Sequence, residues 1–253
     1  MAILSGCRTH TGCRYILMSA MTKDENQRLA AVKTLQALVE KKLNIGTSGN
    51  VSVRTIEGML ITPTGINPAL LLPEQIVAMG LEGQLAEDQL TPSSEWQMHA
   101  DVYREKPDVN AIVHCHSPYA TILACAHKSI PAVHYMVAAA GSDEIPLAGY
   151  ATFGSKELSQ ANLEALSGSL ACLLANHGQL ATGENLDQAL KLAELVEEQA
   201  HCYWGTLAIG GPRLLDSQQM NEVLAAFADY GQQKSTNGLP PVKKTDQTLR
   251  GKE

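Results

Sequence analysis

A layered α/β domain is the fold this sequence predicts, and three observations predict it. Amphipathic stretches of helical length alternate with short apolar runs of strand length. Two of those runs are joined by a hairpin-length connection while others are separated by whole helices, so the sheet carries both hairpin and crossover connections. No linker, low-complexity run or internal repeat interrupts 21–231, which reads as one domain.

Asp24 opens a helical pattern in which Leu29, Val32, Leu35, Leu38, Val39 and Leu43 recur at helical spacing until Gly46. Strands follow at 50–54 and 59–62, joined through Glu57-Gly58. Ser94 with Gln97 three residues later resembles a capping box, starting a helix through Trp96, Ala100 and Tyr103 that stops at Pro107. The buried strand 111–116 runs into Ser117-Pro118, a good N-cap followed by a good first helical residue. A second apolar strand, 170–175, stops at Asn176-His177-Gly178. Asn185 then caps a long helix carrying Leu186, Ala189, Leu190, Ala193, Val196, Ala200 and Leu207.

Composition narrows the function. The chain has 253 residues, 45% apolar and 18% charged, enough to bury one sizeable core or two small ones. Every long apolar stretch is interrupted by Lys, Arg, Asp or Glu before the roughly 20 residues a membrane helix needs, so no membrane partner is expected. With 26 acidic against 19 basic residues the formal charge is -7, which argues against nucleic acid as a partner. Six cysteines form no C-x-x-C and several lie in apolar stretches, which points to a reducing cytoplasm. Residues 1–20 carry Arg8 and Arg14, no acid and only a short apolar patch at 15–18. They fit a secretory signal poorly and read as a flexible extension or an upstream start, with Met18 or Met21 opening the domain; an organellar transit peptide is the alternative. Residues 232–253 read as a solvated tail.

The chemistry gathers at a few positions. On a strand, side chains alternate faces, so His114 and His116 point the same way and can meet one metal. His177 ends another apolar strand, where a polar group needs a partner or a cavity. Three histidines with an open position suit a Lewis-acid zinc ion, although an H-x-H pair alone can also be satisfied by backbone carbonyls. Glu95 falls in a first helical turn, favourable for any carboxylate, yet Ser93 and Ser94 beside it offer hydroxyls and N–H groups to an anion. Gly46-Thr47-Ser48-Gly49-Asn50 is either a plain helix stop or a phosphate-cradling loop, and Thr62-Pro63-Thr64-Gly65 is a turn of the same character. Neither G-x-x-x-x-G-K-[ST] nor a G-x-G-x-x-G after a strand occurs, so nucleotide triphosphates and dinucleotides are poor candidates.

Taken in order, these motifs resemble those of the class II aldolase/adducin family across 24–231. They are Gly46-Thr-Ser-Gly-Asn-Val-Ser-Val-Arg54, Met59-Leu-Ile-Thr-Pro-Thr-Gly65, Ser93-Ser-Glu-Trp96, His114-Cys-His116, Ile130-Pro-Ala-Val-His-Tyr-Met136, Tyr150-Ala-Thr-Phe-Gly154 and Asn176-His-Gly178. The resemblance implies a single three-layer domain with a central, mainly antiparallel sheet and helices on both faces. It implies one Zn2+ per subunit on His114, His116 and His177, with Glu95 a fourth ligand at rest and acid/base during turnover. Thr47, Gly49, Asn50, Thr64, Gly65, Ser93 and Ser94 would bind a substrate phosphate. Tyr135, Phe153 and Tyr230 would reach or line the site, Tyr135 and Tyr230 from a neighbouring subunit of a cyclic homotetramer, with Tyr135 as a catalytic base. The implied reaction cleaves a ketose 1-phosphate of the L-fuculose 1-phosphate type to dihydroxyacetone phosphate and a small aldehyde such as L-lactaldehyde. The family also holds 5-deoxyribulose and methylthioribulose 1-phosphate aldolases, adducin-like binding modules without the metal ligands, and pentulose 5-phosphate 4-epimerases, which carry Asp where Glu95 stands. No lysine sits in any of these motifs, which disfavours Schiff-base chemistry.

Overall fold

The computed structural model describes residues 22–227; the extension 1–20, the tail 232–253 and Tyr230 lie outside the described residues. Helix α1, Lys23–Glu40, starts at a capping box in which Thr22 accepts from the Glu25 N–H and Glu25 accepts from the Thr22 N–H. It buries Ala31, Val32, Leu35 and Leu38, but Val39 is exposed and the helix ends before Gly46. Lys42 takes a left-handed φ of 59°, and the N–H groups of Leu43 and Asn44 turn back to Leu38 O, closing the helix there.

Strands β1 (Asn50–Arg54), β2 (Met59–Ile61) and β3 (Val77–Met79) form an antiparallel meander. Helix α2, Trp96–Glu105, leads to β4, Ala111–Cys115, and α3, Pro118–Cys125. Beyond them come β5 (Leu147–Ala148), α4 (Lys156–Ala165), the hairpin β6 (Ala171–Leu174) and β7 (Gly178–Gly183), α5 (Leu186–Ala208) and α6 (Ser217–Phe227). Asn185 caps α5 by accepting from Gln188 N. The seven strands form one sheet in the order β3-β2-β1-β4-β7-β6-β5, antiparallel throughout except for β5 with β6.

Two cores make this a three-layer fold. Ala111, Val113 and Cys115 of β4 pack under α1, α3, α5 and α6, while Ile112 faces the other core with Met98, Val102 and Tyr103 of α2 and Leu158 of α4. The period of two therefore sends His114 and His116 to the α2 side. Among the described residues no helix is long and apolar enough to cross a membrane.

One expected cap is corrected. The Ser94/Gln97 box does not form: Glu95 itself is the N-cap of α2, with no side-chain cap bond, because its carboxylate is turned to Asn50 and the histidines. Ser117 is the N-cap of α3, but its hydroxyl accepts from Gln179 Nε2. The carboxylate of Glu197, on α5, takes the α3 N–H groups of Tyr119 and Ala120 instead, each at 2.9 Å.

Candidate metal centre and phosphate pocket

Three elements converge to build the centre. The end of β4 carries His114 and His116, the β6–β7 turn carries His177, and the N-cap of α2 carries Glu95. Asn44 Oδ1 accepts from the His116 N–H at 2.9 Å, fixing the chain as β4 ends. Asn176 adopts a left-handed φ of 55° in the turn before His177, and its Oδ1 lies 2.6 Å from His127 Nε2.

The three rings form a near-threefold propeller. Their centroids are 4.7 to 4.9 Å apart and their planes meet at 69° to 72°. His114 Nδ1 donates to the Gln179 carbonyl at 2.8 Å, which turns Nε2 into the cluster, 3.1 Å from His116 Nε2 and 3.2 Å from Glu95 Oε2. Glu95 Oε1 lies 3.3 Å from His177 Nε2 and, although buried, accepts no hydrogen bond.

Electrostatics favour a positive charge at this point. Burial works to raise the Glu95 carboxyl, but His114, His177 and Asn50 together outweigh it and hold the group well below the usual carboxylate range. Burial works to lower His114, and the Glu95 carboxylate with the Gln179 carbonyl reverses this and pushes it up. Burial, then the charge of His114, brings His116 down to about 3 and His177 down to about 4. Two neutral imidazoles, a third held beside a carboxylate, and an orphaned carboxylate oxygen are a donor set that suits a cation, and nitrogen-rich ligation suits zinc better than magnesium. His114, His116 and His177 form a group that could hold a metal ion, their ligand atoms lying within 4.8 Å of one another.

A pocket of about 320 Å³ opens beside this cluster. It is lined by Thr47, Gly49, Asn50, Thr64, Gly65, Ser93 and Ser94, together with Tyr150, Ala151, Phe153 and Asn176. Gly49 needs its freedom: φ is 75°, and a Cβ there would lie 2.1 Å from Asn44 Nδ2 and 2.7 Å from His114 O. The Asn50 amide is committed to Glu95 and to His99. Phe153 is exposed at the pocket's edge, whereas Tyr135, 46% exposed on the 3-10 helix Tyr135–Ala140, lies tilted against the His134 ring and does not line the pocket of its own chain.

Residues that motif reading missed stand behind the site. His99 and Tyr103 follow Glu95 at steps of four on one face of α2, and Ser52 follows Asn50 at a step of two on β1. Those spacings were the available signal.

The family model for the class II aldolase and adducin N-terminal domain matches residues 29–204. The chain is similar to the 5-methylthioribulose-1-phosphate/5-deoxyribulose-1-phosphate aldolase of Rhodospirillum rubrum, 50% identical over 189 residues covering 75% of this chain and 85% of the relative. It is also similar to the L-fuculose phosphate aldolase of Haemophilus influenzae, 47% identical over 201 residues covering 79% and 93%. A solved structure of an L-fuculose 1-phosphate aldolase superimposes with a TM-score of 0.78 at 39% identity, covering 80% of this chain and 96% of that one.

Proposed function

This chain belongs to the class II aldolase and adducin family and is a class II aldolase, an aldehyde-lyase; from that premise we propose that it is zinc-dependent and reversibly cleaves a ketose 1-phosphate to dihydroxyacetone phosphate and a small aldehyde. The observation that carries the reading is the adjacency of a three-imidazole, one-carboxylate cluster to a pocket wall of hydroxyls and turned glycine backbone. The first substrate is of the L-fuculose 1-phosphate type, giving L-lactaldehyde. A second reading has its own support. The relative named for 5-methylthioribulose and 5-deoxyribulose 1-phosphates is 50% identical, against 47% for the fuculose phosphate enzyme, and the side formed by Tyr150, Ala151 and Phe153 suits an apolar aldehyde tail.

His114, His116 and His177, with Glu95 as a fourth ligand at rest, would hold the zinc, which would supply Lewis-acid stabilisation of the negative charge that develops as the C3–C4 bond breaks. The protein's own groups do the rest. Thr47, Gly49, Thr64, Gly65, Ser93 and Ser94 hold the phosphate, so remote binding becomes orientation at the reacting carbon; the Asn50 amide, committed to Glu95 and His99, is not among the phosphate donors. Tyr135 of a neighbouring subunit takes the C4 hydroxyl proton and passes it to water, and Glu95 takes a proton from water and gives it to the carbanionic C3. Tyr135 is exposed and absent from its own pocket, which supports its service to another copy in a homotetramer; Tyr230 is assigned the same origin, and Phe153 lines the entrance. The domain is assigned to 21–231, in the cytoplasm.

The test is a panel of L-fuculose, 5-deoxyribulose and 5-methylthioribulose 1-phosphates, read by release of dihydroxyacetone phosphate, with bound metal measured on the same protein. Release from at least one substrate and about one zinc per chain are expected. Release from none overturns the assignment. On the best substrate, Ser94→Ala is expected to raise KM by roughly 10-fold with little change in kcat, because the phosphate contact it removes is present in ground and transition states alike. A fall in kcat at unchanged KM would take Ser94 out of the phosphate site.

A further inference from the structure

Behind Glu95 runs a chain of buried polar groups that neither the metal ligands nor the phosphate loops explain. Asn50 Nδ2 donates to Glu95 Oε2 at 2.9 Å, and His99 Nε2 lies 2.6 Å from Asn50 Oδ1. On the ring's other side His99 Nδ1 lies 2.7 Å from Ser52 Oγ, which in turn lies 2.7 Å from the Tyr103 hydroxyl. His99 and Ser52 are fully buried and Tyr103 nearly so, which makes an unpaired group here costly.

The direction of every hydrogen follows from one fact. An ionised carboxylate only accepts, so the Asn50 atom facing Glu95 is its NH2. That turns Oδ1 toward His99, whose Nε2 must therefore carry the hydrogen. The ring is neutral, held down to about 3 by burial and then by His114, so Nδ1 accepts from Ser52, whose oxygen accepts from Tyr103. If the Asn50 amide flipped, Oδ1 would face the carboxylate and NH2 would face an N–H, two repulsive contacts at once. The carboxylate opposes the flip from one side and the His99 N–H from the other.

We propose that His99 is a positioning residue which, through the Asn50 amide, holds Glu95 so that Oε2 is tied and Oε1 is left for the centre between the three imidazoles. The proposal rests on the reading of Glu95 as the acid/base group of an aldolase.

Two substitutions separate positioning from packing. In His99→Gln the longer amide reaches the place of Nε2 and can still donate to Asn50, giving up Ser52; in His99→Asn the shorter amide stands near Nδ1, keeps Ser52 and gives up Asn50. Each removes one buried hydrogen bond, so a role in packing alone would affect both alike. On the best panel substrate, His99→Asn is expected to lose roughly 10-fold or more in kcat with KM and metal content little changed, while His99→Gln regains most of it. A second readout needs no substrate: in full-length protein loaded with Co2+, the visible bands shift in His99→Asn and match the wild type in His99→Gln. A third needs no variant: the 15N spectrum of histidine-labelled wild type should give a neutral His99 protonated at Nε2. Wild-type protein that cleaves nothing on the panel defeats the functional reading, and the cobalt spectra still decide the role of His99. Equal kcat or equal cobalt spectra for the two variants, or an Nδ1-protonated His99, overturns the proposal.

Discussion

Glu95→Gln is expected to lower kcat by roughly 10²-fold or more, the scale set by loss of a general acid/base group. Glutamine matches the shape of glutamate, so the N-cap of α2 and the surrounding core keep their packing, and Glu95 makes no capping bond whose loss would confuse the result. The Asn50 amide is fixed with its NH2 toward this position at 2.9 Å, so the glutamine carbonyl is drawn to it. Its own NH2 then points at His177, where Glu95 Oε1 stood 3.3 Å from Nε2. An amide nitrogen neither shuttles a proton nor offers a lone pair, yet three imidazoles remain to hold the ion. The expected pattern is therefore low kcat, a smaller change in KM, and metal still bound. Near-normal turnover would reduce Glu95 to a helix-start residue and remove it from the mechanism.

What the chain discloses by itself is local. The Asn185 cap and the presence of α1, though not its end, were readable because caps and hydrophobic periodicity act within a few residues. The His114/His116 pair was readable because alternation on a strand is geometric, and β1 was found at its true bounds. Ser117-Pro118 marked the start of α3, but the carboxylate that satisfies its first N–H groups was not readable: Glu197 lies 77 and 78 residues away from them, and no local pattern announces it. The two-residue β5 is too short to carry a period. The capping box at Ser94 failed for a related reason, since Glu95 has stronger partners on β1 and β4 than its own helix offers. In the site itself, residue types pointed to the three-histidine cluster, whereas the chain from Glu95 through Asn50 and His99 to Tyr103 exists only once β1 and α2 are packed together.

Removing one imidazole should have the largest effect, and His177 is the ligand whose loss reads most cleanly. His114 is fully buried beneath α2, so its truncation would open a core cavity as well as a gap in the ligand set. His177 sits in the β6–β7 turn with its side chain 13% exposed, and the hairpin around it is held by backbone pairing from Ala171↔Ala181 to Leu174↔Gly178. His177→Ala is therefore expected to cost only about 1 kcal/mol of stability, the middle of the range for a single substitution. The site itself should suffer far more. Two imidazoles on one strand and a carboxylate remain, and Glu95 Oε1 loses the neighbour that lies 3.3 Å away. Metal in protein purified without chelator should fall well below one ion per chain. Losing several kcal/mol of charge stabilisation should lower kcat/KM by roughly 10³-fold. Calorimetry, metal analysis and the cleavage assay on one preparation separate these terms. A His177→Ala protein that keeps one ion per chain and wild-type turnover would show that the three-histidine cluster is not where the metal acts, whereas an unchanged melting temperature with lost metal and lost rate is the signature of a ligand.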